Sequence, residues 1–139
     1  MPIVPPTDAL IMRRTTEEFE VTVSKDSGFL RIAVRGPATR ANLLVTLQQI
    51  IGETKSQDVW RVLLDARGAG AAIGAFDKFE IGVELARAAD RRMRLAVVAV
   101  PAAVDHFFET VARNRGGAVR VFTDEAAALE WLLPNDHSP

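Results

Sequence analysis

The chain has 139 residues, enough for one ordinary domain that buries its core without staples. It contains no cysteine, which excludes a disulfide framework, a thiol nucleophile and any cysteine-ligated metal or cluster. Its 17 basic and 18 acidic residues leave a formal net charge of −1, so no electrostatic argument points to nucleic acid.

Residues 1–14 read as a tail, because Pro2, Pro5 and Pro6 oppose regular structure, although Leu10, Ile11 and Met12 are apolar enough to pack on a domain. This segment lacks the basic start and long apolar stretch of a signal peptide. No window approaches the roughly 20 apolar residues of a membrane span. A soluble cytoplasmic protein is therefore expected, with one domain over 15–134 and a second short tail at 135–139.

The stretch "EEFEVTVS" alternates, with Phe19, Val21 and Val23 on one face and Glu18, Glu20 and Thr22 on the other, which predicts a half-buried strand. "KDSG" is a turn in which Gly28 is free to take a positive φ. "FLRIAVRG" alternates again, so the two segments form a hairpin. Between 38 and 54 the period changes. Leu43, Leu44, Leu47, Ile50 and Ile51 make one helical stripe, with Pro37 at its start and Gly52 at its end. "VWRVLLD" is a nearly continuous apolar run, as in a strand covered on both faces, and it ends on Asp65. A glycine-rich loop follows. Phe76, Phe79, Val83 and Ala86 predict a second helix to about Arg91. "LAVVAV" is another buried strand, stopped by Pro101. Val104, Phe107, Phe108 and Val111 predict a third helix, ended by "RGG". "AVRVF" is a short strand. "TDEAAALEWLL" is a closing helix with Thr123 as its N-cap and Asp124 and Glu125 at the positive end of its dipole. The order β-β-α-β-α-β-α-β-α implies an α/β fold, a mixed sheet with a parallel part and helices packed on it.

The glycine loop is neither of the two common phosphate cradles. A P-loop needs a Gly-Lys pair, and the chain has none. "GAGAAIG" is one residue too long for the dinucleotide fingerprint and is displaced from the strand by Asp-Ala-Arg. Glycine here serves a turn or a close approach, while the following helix N-terminus stays open to an anion.

Three segments resemble the STAS fold, and more closely the SpoIIAA-like family of small bacterial proteins. "VLLDARG" is similar to the family's central strand ending in Asp. "LAVVAVPAAVDHFFETVARNRGGAVRVF" is similar to its strand, helix and short strand, and "FTDEAAALEWLL" to its closing helix. With the hairpin, the likeness spans about residues 17–133. The resemblance implies a protein-binding regulatory domain. In the phospho-regulated members a Ser or Thr follows the central strand. The matching positions here are Ile73 to Phe76, and no Ser, Thr or Tyr occurs anywhere from Gln57 to Glu109. A phosphorylation switch at this loop is chemically unavailable.

Catalytic constellations are sparse. His137 lies in the polar tail, and His106 reads as a helix-surface residue. No histidine spacing fits a metal site, and Ser24, Ser27, Ser56 and Ser138 lie in polar connections or tails, so no metal, no other cofactor and no Ser-His-Asp set is expected. Asp65 is the best single candidate, because open α/β sheets place ligands at strand C-termini, with Arg67 and Asp77 near it in sequence. Its plainer role is to accept N–H groups and shape the connection. Arg87, Arg91 and Arg94 share a helical face if the second helix persists, which suits a helix C-terminus. Phe76, His106 and Phe107 can border an apolar pocket beside Asp65.

These residues lead to a non-enzymatic interaction module that uses the loop at 66–76 and the second helix. Asp65, Arg67, Gly68, Gly70, Gly74, Phe76, Asp77, His106 and Phe107 are its candidate site. The alternative is a carrier of a small apolar or amphipathic, lipid-like ligand in the cleft at the strand C-termini. An enzyme built on Asp65 is the weakest reading. A sheet edge leaves room for a homodimer without requiring one.

Overall fold

A computed structural model describes residues 12–15, 19–69, 80, 83–84, 87, 92–100 and 118–133. Six strands form one sheet whose spatial order equals their chain order: β1 (Met12–Thr15), β2 (Glu20–Asp26), β3 (Phe29–Gly36), β4 (Arg61–Ala69), β5 (Arg94–Val98) and β6 (Ala118–Phe122). The first three run antiparallel and the last four, counting β3 twice, run parallel. This is the mixed sheet that a hairpin followed by α/β alternation requires. It begins earlier than the alternation suggests. Met12, Arg13 and Arg14, placed in the tail on the strength of its prolines, belong to β1 and pair with Val23, Thr22 and Val21.

The β2–β3 hairpin turns at Ser27–Gly28, where Gly28 has φ 84. Alternation then sorts the side chains of β3. Leu30, Ile32 and Val34 face one layer and Phe29, Arg31 and Ala33 the other. On the first face lies helix α1 (Arg40–Gln57), which buries Leu47 and Ile50 against Val21, Val23, Leu30, Ile32, Val62, Leu95 and Val97. Thr39 caps it, accepting from the Asn42 backbone N–H at 3.1 Å. The helix does not stop at Gly52. It continues to Gln57 and ends on Asp58, which takes a left-handed φ of 53. A glycine inside a helix costs only about 1 kcal/mol relative to alanine, too little to end a helix whose next turn buries Glu53 and Thr54.

The opposite face carries helix α2 (Glu125–Leu132), which packs Ala128 and Leu132 on Phe29, Leu63, Ala96 and Val98. Its N-cap is Asp124, not Thr123. The Asp124 carboxylate accepts from the Ala127 N–H at 3.0 Å, placing Glu125 first in the helix. Within the helix expected over 76–91, the described residues Glu80, Val83, Glu84 and Arg87 have helical backbone. The helix expected after Pro101 lies outside the described residues. Arg94 does not share a helical face with Arg87 and Arg91, because the turn at Arg92 ends before it and Arg94 opens β5.

Candidate functional site

Asp65 is the last residue of β4 to pair with β5, opposite Val98. The strand does not end there. It runs on beside β3 to Ala69, so Gly68 lies in a strand opposite Arg35 and not in the expected loop. Between the Ala33–Asp65 and Arg35–Gly68 pairs β3 advances two residues and β4 three, which is a β-bulge. The bulge turns the Arg67 backbone N–H toward Asp65, whose Oδ1 accepts it at 3.1 Å. The local cause is visible in the sequence: a short carboxylate two residues back can take an N–H that the ladder no longer uses.

Gly68 follows from the same bulge. A Cβ there would stand 2.7 Å from the Val34 carbonyl oxygen and 2.9 Å from Arg35 Cγ, so only glycine lets β3 and β4 approach this closely.

Around the bulge four charged groups close into a chain. Arg67 Nε and Nη2 each reach an oxygen of Asp65 at 2.9 Å, and Nη2 also reaches Glu125 Oε1 at 2.9 Å. Arg31, on the α2 face of β3, forms a fork on both oxygens of Glu125 at 3.1 and 2.9 Å. The chain therefore runs Asp65–Arg67–Glu125–Arg31 and ties the bulge to the first turn of α2. The Arg67 hydrogen bond holds the Asp65 carboxyl below the usual carboxylate range, with Arg31 adding to the effect against partial burial. The Arg31 fork does the same for Glu125, and Arg67 is raised in turn by Asp65.

Both acids have depressed folded-state pKa values, so their contribution to stability is present above the unfolded values of about 3.9 and 4.3 and disappears as pH falls through the folded ones. Urea midpoints should accordingly be level above about pH 5 and drop below about pH 4. Asp65→Asn should flatten part of that acid-side drop. An unchanged acid limb in the variant would mean that Asp65 is not held by Arg67.

Of the nine expected site residues, the structure brings Asp65, Arg67 and Gly68 together at the bulge. Gly70, Gly74, Phe76, Asp77, His106 and Phe107 lie outside the described residues, and so does the cleft expected between them. Sequence reasoning did not find Arg31 and Glu125. The signal for Arg31 was a charge on a strand face that also carries Phe29, and Glu125 was assigned only to the helix dipole. An open groove of about 370 Å³ lies elsewhere, along α1 between Leu44, Leu47, Ile51, Lys55 and Glu84. Among the described residues no cluster of His, Asp or Glu is placed to hold a metal, and no helix is long and apolar enough to cross a membrane.

No protein-family model matches the chain, and no curated protein matches its sequence. Solved structures do. An anti-sigma factor antagonist from Mycobacterium paratuberculosis superposes with a TM-score of 0.60 at 14% identity, over 85% of this chain and 97% of that one. An uncharacterised protein with a SpoIIAA-like fold from Shewanella loihica gives a TM-score of 0.46 at 16% identity, over 88% and 99% of the two chains. The α/β architecture expected from the sequence is the one this chain adopts, and it is the fold of the antagonist.

Proposed function

We propose that the chain is a non-enzymatic, regulatory interaction module that engages a protein partner through the end of β4 and the residues that follow it to about 91. The observation that carries this reading is the state of Asp65. Its two oxygens are engaged by the Arg67 side chain, and one also by a backbone N–H. A general base works best with a pKa near the operating pH, whereas Arg67 shifts Asp65 away from it. The acid braces the bulge, and the bulge presents exposed Arg67 and Gly68 near the C-terminal end of β4. The likeness to an anti-sigma factor antagonist supports a protein partner. The absence of any hydroxyl residue from Gln57 to Glu109 supports a module that works without a phosphorylation switch in this loop.

The groove along α1 favours a second reading, a carrier of a small apolar or amphipathic ligand, since its volume falls in the range of small-molecule sites. One measurement separates the two. Protein isolated gently from its host is expected to show a bound polypeptide in native mass spectrometry, and Arg67→Glu should remove it without changing the far-ultraviolet circular dichroism. A small-molecule adduct with no polypeptide would replace the module by the carrier. A turnover abolished by Asp65→Asn would replace both by an enzyme.

A further inference from the structure

Two arginines converge at the other end of the sheet. Arg61 opens β4 and Arg94 opens β5, and the two are register partners on adjacent parallel strands. Both reach the C-terminus of α2. Arg61 Nη1 donates to the Leu132 carbonyl, and Arg94 Nη2 donates to the Trp131 carbonyl at 2.8 Å. The Arg94 guanidinium also lies over the Trp131 ring, 4.0 Å from its centroid, which fixes its plane.

Capping these carbonyls occupies one nitrogen of each guanidinium, and each has three. Among the described residues Arg94 Nε is buried with no hydrogen-bond partner. Among the described residues no carboxylate pairs with either arginine, and the nearby ion pair joins Arg92 to Asp58 at 3.9 Å. Charge arithmetic makes this end unusual. Two guanidiniums carry +2, while the end of a helix offsets only about half a charge. A buried donor left without an acceptor is destabilising, and two like charges side by side add to that. At the other end of α2, Arg31 and Arg67 are each matched by a carboxylate.

We propose that Arg61 and Arg94 form a phosphate-binding site, in which the unused Nη groups of both side chains donate to the oxygens of one phosphate group. A phosphate carries about −1.5 to −2 at neutral pH and three acceptor oxygens, which matches two planar forks better than a single carboxylate does. The site stands apart from the bulge at Asp65 and does not depend on the partner-binding reading.

Titration with inorganic phosphate at constant ionic strength, followed by NMR, tests it. A saturable shift is expected at the Arg61 and Arg94 Nε–H signals, the Trp131 indole and the amides of Trp131 to Leu133. Arg61→Gln should weaken binding about tenfold, the loss of one charge-assisted hydrogen bond. Arg94→Lys keeps the charge but removes the stacked fork, and it should lose the site while remaining folded. A shift that does not saturate, that survives Arg94→Lys or that centres on Arg31 and Arg67 would overturn the proposal. Co-sedimentation with phosphatidic acid vesicles, absent with phosphatidylcholine vesicles, would assign the phosphate to a lipid headgroup. A phosphate shift without co-sedimentation would assign it to a soluble compound.

Discussion

Trp131→Ala is expected to destabilise the fold by about 3 kcal/mol, near the lower end for truncating a large aromatic because Trp131 is only partly buried. For a chain of this length that corresponds to a thermal midpoint lower by roughly 10 °C. Three contacts disappear together. The ring packs on Phe122 with centroids 5.9 Å apart at a tilt of 49°. It carries the Arg94 guanidinium at 4.0 Å. It also belongs to the apolar cluster that seats α2 on Leu63, Ala96 and Val98. Trp131→Phe keeps a ring and should lose less than half as much. Trp60, just before β4 and packed on the other apolar cluster, then remains as the single tryptophan reporter of global unfolding. A midpoint unchanged within error would mean that α2 is not docked on the sheet.

The second expected result is a change of sign between two identical substitutions. Gly68→Ala should lower stability by about 1–3 kcal/mol, the usual range for forcing extra volume into a packed site. The new Cβ would meet the Val34 carbonyl at 2.7 Å, and a backbone oxygen inside a paired strand cannot swing aside as the Arg35 side chain can. Gly52→Ala should instead raise stability by about 0.5–1 kcal/mol, because Gly52 is helical and a Cβ there has nothing within 4 Å. Urea midpoints at constant m-value report both. A neutral Gly68→Ala would show that the bulge relaxes without cost, and the close approach of β3 and β4 would no longer explain the glycine.

The two glycines also show where local sequence signals stop. In the sequence, Gly52 looked like a helix terminator and Gly68 like part of a loop. The structure puts one inside α1 and the other inside β4. A glycine marks a permissive backbone, and only its neighbours in space decide whether that permission is used. Period was more dependable. The alternation of Val21 and Val23 and of Leu30, Ile32 and Val34, and the continuous run of Val62 to Leu64, each state how many faces of the strand are covered, and the core is built from those residues. The strand β1 carries no such signal: Met12–Thr15 is four residues long, reads MRRT without alternation and follows a proline-containing segment.

Composition and periodicity by themselves determined that this protein is a mixed α/β sheet with a hairpin at one side, no thiol chemistry and no hydroxyl residue between Gln57 and Glu109. They also singled out Asp65. The tertiary structure alone decided what Asp65 and the arginines do. Arg31 and Glu125 stand 94 residues apart and meet only because α2 folds onto the face of β3. Arg61 and Arg94 become neighbours only through the parallel register of β4 and β5. Charge pairing depends on separations of a few ångströms between residues far apart in sequence, and no local pattern encodes those distances.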